Sequence, residues 1–183
     1  MPASFDGGDR VRLFCALRLP EPTLDRLVEW QSQLRLPAGS RLVARDNLHI
    51  TLAFLGHRPV SELEAILAAL RDSAAEAAVP VLEPSRYRET QRVGMVVLGE
   101  REPRAQALAG ALQTRLERLG VYEREQRDWT PHVTVVRFRR RPGLRLDPPD
   151  LGPVSPSEVA LYHSTLRRDG AQYEVLESVS LGG

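Results

Sequence analysis

Apolar residues recur along the chain at two different periods, and each period predicts a different kind of element. Short, nearly continuous apolar runs bounded by turn residues predict strands. These runs are residues 11–19, 48–55, 93–99, 130–138, 158–166 and 172–180. Leucine stripes at helical spacing predict helices at about residues 23–36, 61–77 and 103–119. Because strands and helices do not alternate regularly, the order predicts an α+β fold with mainly antiparallel sheets.

Turn and cap residues mark the ends of these elements. The pattern Ser61-x-x-Glu64 is typical of a capping box and predicts the start of the second helix. Pro103 is well placed near the start of the third helix, and Gly120 predicts its C-terminal cap. The stretch 139–150 is rich in arginine and proline, so a loop is expected there.

The order of elements suggests that the chain contains two copies of one structural unit. Each half of the chain contains a strand, a proline, a helix, a loop and a strand that carries a histidine. Val11 and Val93 are 82 residues apart, and His49 and His132 are 83 apart. This spacing predicts an internal duplication. The expected units are about 11–77 and 93–138, closed by strands in 158–180, within a single domain of residues 1–183.

Composition narrows the class of protein. A chain of 183 residues with 42% hydrophobic content can build the core of one domain, and no apolar run approaches the roughly 20 residues needed to cross a bilayer. Residues 1–14 lack an apolar stretch behind a basic head, so they do not resemble a secretory signal. The single cysteine, Cys15, lies in an apolar run and is expected to be a buried thiol. We therefore expect a cytoplasmic protein.

The charged residues exclude several mechanisms. The net charge is +1, which does not favour bulk binding of duplex nucleic acid, and all 25 basic residues are arginine. Without lysine there is no P-loop and no covalent lysine intermediate, so ATP-dependent ligases that adenylate a lysine are excluded. Arginine favours planar, two-point contacts with phosphate.

Two of the four histidines stand in the same local pattern. His49 and His132 each lie in a predicted strand, followed two residues later by Thr51 and Thr134. Because side chains alternate along a strand, each histidine shares a face with its threonine, while apolar neighbours such as Phe54 are expected on the opposite face. If the two halves meet about a pseudo-two-fold axis, both pairs converge on one cleft.

A phosphate group suits a cleft lined by two imidazoles and two hydroxyls. Since the histidine pKa is ordinarily near 6.5, one ring can accept a proton while the other donates one. The hydroxyls can donate to the non-bridging oxygens as charge develops on them. A cyclic phosphate is a suitable substrate because ring opening needs proton transfer more than it needs a metal. The residues alone leave open which histidine is the acid.

Other kinds of site have weaker support. His57 follows a turn glycine and His163 has no threonine two residues later, so structural roles are expected for both. No two histidines lie at i,i+2 or i,i+4, H-E-x-x-H is absent and there is one cysteine, so no catalytic metal is expected. The G-x-S-x-G pattern of serine hydrolases is also missing.

Four segments together resemble a known family. They are Arg12-Leu13-Phe14-x-Ala16-Leu17, Asn47-Leu48-His49-Ile50-Thr51-Leu52-x-Phe54-Leu55-Gly56, Pro131-His132-Val133-Thr134-x-x-Arg137 and Ser164-x-Leu166-x-x-x-Gly170-x-x-Tyr173. They resemble the opening strand, the two histidine motifs and the closing hairpin of the two-histidine phosphoesterases. Within that superfamily they are most similar to the bacterial and archaeal RNA 2',3'-cyclic phosphodiesterases, also called 2'-5' RNA ligases. The resemblance covers nearly the whole chain.

The resemblance implies a fold of two pseudo-symmetric α+β lobes around a central cleft. It also implies an activity and roles for individual residues. It implies hydrolysis of a 2',3'-cyclic phosphate at an RNA terminus to a 2'-phosphomonoester, without a metal or other cofactor. His49 would protonate the departing 3'-oxygen and His132 would activate water. Thr51, Thr134 and Arg137 are the expected substrate-binding residues. We further expect a monomer that does not associate with membranes.

The position of Arg137 conflicts with simple alternation. Counting along the strand places it on the face of Val133 and Val135, away from His132. Either a bulge or the strand end re-aims the side chain towards a phosphate, or Arg137 only supports the motif from behind. The arginines between 137 and 145 could guide an RNA strand or form a solvated loop. Aromatic residues of the predicted strands, Phe14 and Tyr173, could stack on a base or belong to the core.

Three functions remain open at this stage. The first is the cyclic phosphodiesterase. The second is a related enzyme that joins or cleaves 2'-5' linkages without ATP, or that acts on a small cyclic nucleotide. The third is a module that binds RNA ends without turnover.

Overall fold

The computed structural model describes residues 9–168 and 170–182. The strands in this part of the chain are β1 (Arg10–Arg18), β2 (Ser40–Leu42), β3 (His49–Pro59), β4 (Leu82–Glu89), β5 (Val93–Glu100), β6 (His132–Phe138), β7 (Glu158–Arg167) and β8 (Gly170–Ser180). The α-helices are α1 (Glu21–Ser32), α2 (Leu63–Glu76) and α3 (Arg104–Arg118). None of these helices is long and apolar enough to cross a membrane. The expectation about a secretory signal falls partly on residues 1–8, outside the described residues.

The strands form two four-stranded sheets. The first has the order β3-β1-β7-β8 and the second the order β2-β6-β5-β4. All neighbouring strands run antiparallel. The predicted α+β class with antiparallel sheets is therefore confirmed. The two histidine-bearing strands, β3 and β6, belong to different sheets and contact each other.

Helices α1 and α3 each form a side-chain hydrogen bond across to the opposite sheet. In both cases the strand that precedes the helix belongs to the other sheet. Helix α1 follows β1 of the first sheet, yet its Gln31 donates a hydrogen bond to the carbonyl oxygen of Val135 in β6, at 2.8 Å. Helix α3 follows β5 of the second sheet, yet its Gln113 donates to the carbonyl oxygen of Leu52 in β3, also at 2.8 Å. Both glutamines are buried. These exchanged bonds help to fix the two sheets relative to each other.

One continuous apolar core lies beneath both sheets. The odd-numbered residues of β1 point into it and are buried, namely Val11, Leu13, Cys15 and Leu17. Fully buried leucines from all three helices, Leu27, Leu70 and Leu112, belong to the same cluster. Each such leucine contributes about 2 kcal/mol by leaving water. The buried thiol predicted at Cys15 is confirmed, and its burial raises the pKa to about 12, so it is a poor nucleophile.

The predicted ends of the helices are partly right. Pro103 directly precedes α3, and Gly120 follows its C-terminus with a φ of +69°, as the cap prediction requires. The capping box at Ser61 is wrong, because Val60–Glu62 form a 3₁₀ turn and α2 begins at Leu63 without a side-chain cap. Helix α1 ends at Ser32, earlier than the predicted residue 36.

Strand β4 carries no apolar run and was not predicted. Its sequence, LEPSRYRE, is mostly polar because β4 is an edge strand: it pairs with β5, and on its other side only Leu82 forms a bridge, with Val154. Pro84 is tolerated there beside a register shift in the pairing. The loop predicted over residues 139–150 is confirmed, since no helix or strand lies in it.

Candidate active site

The two histidine-bearing strands are joined by the segment just before β6. The indole N–H of Trp129 donates to the carbonyl oxygen of Thr51 in β3, at 2.9 Å. Trp129 lies three residues before His132, and Thr51 two residues after His49. This bond ties the start of one histidine strand to the other. His49 and His132 line a cleft made of two adjoining cavities, which share Thr51 and Phe54.

Both imidazoles are oriented by the same backbone contact. The Nδ1 atom of His49 lies 2.8 Å from the carbonyl oxygen of Asn47, and that of His132 lies 2.8 Å from the carbonyl oxygen of Thr130. In each case the carbonyl belongs to the residue two positions earlier. Because a carbonyl can only accept, Nδ1 carries a hydrogen in both rings. Each Nε2 is therefore left to exchange a proton with a ligand.

The His49 ring is held on its other sides as well. Its Nε2 lies 3.0 Å from the Thr51 hydroxyl, which donates when the ring is neutral. The ring centroid lies 4.8 Å from that of Phe14 and 5.5 Å from that of Tyr173. Phe14 is buried and stacks on Tyr162, so it is part of the wall behind His49. Tyr173 lines the cleft and is available to a ligand.

The pKa of His49 is lowered to about 4, mainly by burial and in smaller part by the charges of His132 and Arg137. The hydrogen bond to Asn47 opposes this effect but is weaker than the desolvation. Without a ligand, His49 is therefore neutral at pH 7. The same interactions show that His132 and Arg137 lie near enough to His49 for their charges to act on it.

A bulge turns Arg137 into the cleft. In the pairing of β5 with β6, Thr134 faces Met95 and Val136 faces Gly94, so Val135 has no partner. The extra residue reverses the alternation, and Arg137 comes to the same side as Thr134. It lines the cleft together with His49 and Thr134. Of the explanations considered for Arg137, the bulge is confirmed.

Strand β3 contains corresponding irregularities, which correct the expectation for Phe54. In the pairing with β1, Leu52 and Leu55 lack partners, and Phe54 faces Phe14. Phe54 was expected on the core face, but it is 48% exposed and lines the cleft. The expectation failed because the bulge at Leu52 reverses the alternation after Thr51.

The two bulges are held by the two buried glutamines. Leu52 and Val135, the bulged residues, each lie three positions after the histidine of their strand. Their carbonyl oxygens are the acceptors of Gln113 and Gln31, respectively. The Val135 carbonyl also accepts from the Val43 backbone N–H, at 3.0 Å. A buried carbonyl left without a donor would cost about 1–3 kcal/mol, so these bonds help to stabilise the bulges. Sequence reasoning missed both glutamines, although they are 82 residues apart, like the repeated units.

The cleft has two cavities that meet at Thr51 and Phe54. The first, of about 370 Å³, is lined by His49, Thr134 and Arg137, among others. The second, of about 660 Å³, is lined by His132. Both are large enough for a small ligand. A group placed at the junction would have one imidazole on each side.

Two arginines that were not predicted as site residues also line the first cavity. Arg12 and Arg41 line it beside Arg137. The position of Arg12 could have been found, because it shares a face of β1 with Phe14. The position of Arg41 could not, since it depends on the pairing of β2 with β6, where Arg41 lies directly opposite Arg137.

The remaining arginines of the run 137–145 line neither cavity. Arg141 contacts the buried carboxylate of Glu89, which also accepts from the backbone N–H groups of Gly143 and Leu144. These contacts anchor the loop to β4, and none of them involves the cleft.

The other two histidines lie outside both cavities. His57 is exposed, and the Nδ1 atom of His163 lies 3.8 Å from the Glu174 carboxylate. Within the described part of the chain, no group of three or more histidine, cysteine or acidic residues could hold a metal ion.

Comparison with known proteins gives consistent matches. A model of the family described as LigT like phosphoesterase matches residues 17–95. A relative from Thermus thermophilus, named RNA 2',3'-cyclic phosphodiesterase, is 34% identical over 94% of this chain and 91% of its own length. A relative of the same name from Escherichia coli K12 is 30% identical over 93% of this chain and 96% of its own length. The crystal structure of E. coli LigT in apo form matches with a TM-score of 0.81 at 27% identity, over 96% of this chain and all of that one. Further structures of LigT are complexes with 3'-AMP and with phosphate.

Proposed function

This chain belongs to the LigT-like phosphoesterase family, and we propose that it opens the 2',3'-cyclic phosphate at an RNA terminus by acid–base catalysis at His49 and His132. The observation that carries the mechanism is the matched orientation of the two rings. Each has Nδ1 bonded to a backbone carbonyl, which leaves Nε2 for proton transfer. Relatives named RNA 2',3'-cyclic phosphodiesterase support the substrate.

The proposed reaction is an in-line displacement by water. Nε2 of His132 takes a proton from water as the water oxygen bonds to phosphorus. The bond from phosphorus to the 3'-oxygen breaks, and Nε2 of protonated His49 gives that oxygen its proton. The products are a 2'-phosphomonoester and a free 3'-hydroxyl. The proton gained by His132 and the one lost by His49 then exchange with solvent.

The substrate supplies the charge that makes His49 an acid. With a pKa of about 4, only about one His49 ring in a thousand is protonated at pH 7 in the unliganded protein. The cyclic phosphate carries a negative charge, and an anion beside the ring favours its protonated form. Substrate binding therefore raises the pKa of His49, and the ring takes up the proton that it later donates to the leaving oxygen. The role of His49 as donor is carried over from the family resemblance.

Groups around the junction of the cavities would hold the phosphate. The hydroxyls of Thr51 and Thr134 can donate to its non-bridging oxygens, and Arg137 can form a charge-assisted contact. Since the leaving 3'-oxygen is on the side of His49, the terminal nucleoside belongs in the first cavity. Water then approaches through the second cavity, where His132 lies.

The test uses an oligonucleotide with a 2',3'-cyclic phosphate end, in the presence of EDTA. We expect conversion to the 2'-phosphate, identified by ³¹P NMR or chromatography against a 3'-phosphate standard. His49→Ala and His132→Ala should each lower kcat by about 10²–10⁴. His57→Ala and His163→Ala are matched controls outside both cavities. Near-normal turnover in both cleft variants, or loss of wild-type turnover with EDTA, would contradict the mechanism.

The size of the second cavity favours one further candidate activity. At about 660 Å³, the space beside His132 can admit more than a water molecule. If an RNA 5'-hydroxyl took the place of water, the same proton transfers would join two strands through a 2'-5' linkage without ATP. Water at about 55 M competes by mass action, so we expect hydrolysis to dominate. A 5'-hydroxyl acceptor strand at millimolar concentration tests this directly.

RNA ends as the partner and a monomeric state belong to the same proposal. A chain that binds the cyclic end tightly yet never opens it would instead be a binding module. Product analysis distinguishes these two cases, and sedimentation velocity measures the oligomeric state.

A further inference from the structure

The first cavity holds more positive charge than the reacting phosphate requires. Arg12, Arg41 and Arg137 line it, and no acidic side chain among the described residues does. Arg41 and Arg137 lie directly opposite each other on neighbouring strands. The second cavity differs, because its arginines are accompanied by acidic residues. A polyanion is therefore favoured in the first cavity.

Arg12 is held in one orientation by uncharged groups. Its guanidinium donates to the hydroxyl of the buried Ser164, at 2.7 Å, and lies 4.5 Å from the centre of the Phe54 ring. The structure records no salt bridge of Arg12 with any carboxylate in the described part of the chain. A guanidinium has five N–H donors, and the bond to Ser164 uses one of them. The guanidinium of Arg12 is therefore held in place, and its remaining N–H donors are available to a ligand.

The backbone of Arg12 is set back from His49 along the paired strands. Along the paired strands β1 and β3, the order leading away from His49 is Thr51, then Phe54, and then Arg12 opposite His57. Arg12 is two residues from Phe14, or about 7 Å along the strand. A second anion held by Arg12 would therefore lie in the same cavity, further along the strands from His49 than the reacting phosphate.

We propose that Arg12 binds the internucleotide phosphate on the 5' side of the terminal nucleotide. This inference rests on the proposed function, which places the terminal nucleoside in the first cavity. It makes an oligonucleotide, rather than a cyclic mononucleotide, the preferred substrate. Ser164 and Phe54 act as positioning residues that keep the guanidinium facing the strand.

The test compares two substrates that differ by one nucleotide on the 5' side, which brings with it one internucleotide phosphate. These are a nucleoside 2',3'-cyclic phosphate and a dinucleotide with the same cyclic end. We expect the wild-type protein to prefer the dinucleotide in kcat/KM, and Arg12→Gln to lower that preference about ten-fold, mainly through KM for the dinucleotide. Arg12→Lys should keep part of the preference for the dinucleotide, since lysine has the positive charge but not the planar guanidinium.

Arg10→Gln is the matched control. It removes the same charge from the same strand, but Arg10 is exposed, donates to the carbonyl of His57 and lines neither cavity. Its substrate preference should equal that of the wild-type protein. For a longer oligonucleotide, the slope of log kcat/KM against log salt concentration should become shallower by about 0.7 in Arg12→Gln, as expected when one single-strand phosphate contact is lost.

The outcomes separate this inference from the proposed function. An unchanged preference in Arg12→Gln, or an equal loss on both substrates, would overturn the second phosphate site while leaving the chemistry intact. If the wild-type protein opened neither ring, the proposed function would fail. Calorimetry would then decide the inference, by comparing the binding of a dinucleotide 2'-phosphate and a nucleoside 2'-phosphate to the wild-type protein and Arg12→Gln.

Discussion

Replacing His49 with glutamine should make the fold less sensitive to acid. In the folded protein burial holds the pKa of His49 at about 4, whereas an unfolded chain has the ordinary value near 6.5. Above pH 6.5 the ring is neutral in both states and makes no difference to stability. As the pH falls from 6.5 towards 4, the unfolded chain takes up a proton that the folded ring does not. Folding stability is therefore lost in that window.

The size of the effect follows from the two pKa values. A difference of 2.5 pKa units lowers the free energy of unfolding by about 3 kcal/mol once the pH is well below 4. Between pH 8 and pH 5 the loss is about 2 kcal/mol. The cleft edge of the ring still meets solvent, so these figures are upper limits. With a urea m-value of about 2 kcal/mol/M, the wild-type midpoint should fall by up to about 1 M more than that of His49→Gln.

The assay is urea unfolding at pH 8 and pH 5 in buffers without phosphate. Carboxylates titrate in both proteins, so the difference between wild type and His49→Gln isolates the ring. His57→Gln, on the same strand but outside the cavities, is the control and should follow the wild type. Adding inorganic phosphate at pH 5 should stabilise the wild type more than His49→Gln, because the anion favours the protonated ring. Parallel loss of stability in wild type and His49→Gln would refute the assignment of a buried, neutral ring.

Two further substitutions test the bulges. Gln31→Met removes the side-chain donor to the Val135 carbonyl and leaves only the backbone N–H of Val43 bonded to it. We expect kcat/KM to fall about ten-fold in the wild-type background but little when Arg137 is already alanine. Equal losses in both backgrounds would indicate a structural role alone. Gly94→Ala would place a methyl group against the Tyr87 hydroxyl and 2.6 Å from Val136 Cγ1, so unfolding should need about 1–3 kcal/mol less, measured by urea denaturation. An unchanged midpoint would show that these neighbours move aside.

The sequence predicts the strands of the core well because their apolar runs are what the core buries. Strand β4 was missed since an edge strand with one solvated face needs no such run. The face of Phe54 was predicted wrongly and that of Arg137 could not be decided, for the same reason. Both depend on a bulge, and bulges arise from pairing with another strand rather than from the local pattern.

The internal duplication stays a prediction, with new support from particular residues. Gln31 and Gln113 are separated by 82 residues, and each donates to the third residue after a histidine. Neither contact could have been predicted from composition, because a buried glutamine has no periodic signal of its own. The catalytic roles of His49 and His132 likewise await the kinetic test, although the structure brings both to one cleft.

The attachment of each imidazole to its own main chain affects how this site could diversify. No third side chain is needed to select the tautomer, in contrast to a catalytic triad, where an aspartate does so. Cleft side chains can therefore be exchanged during evolution, to suit other bases or other strand lengths, without resetting the protons on the two rings. A new specificity could arise through single substitutions in the wall of the cleft, and each successive variant would still be catalytically active.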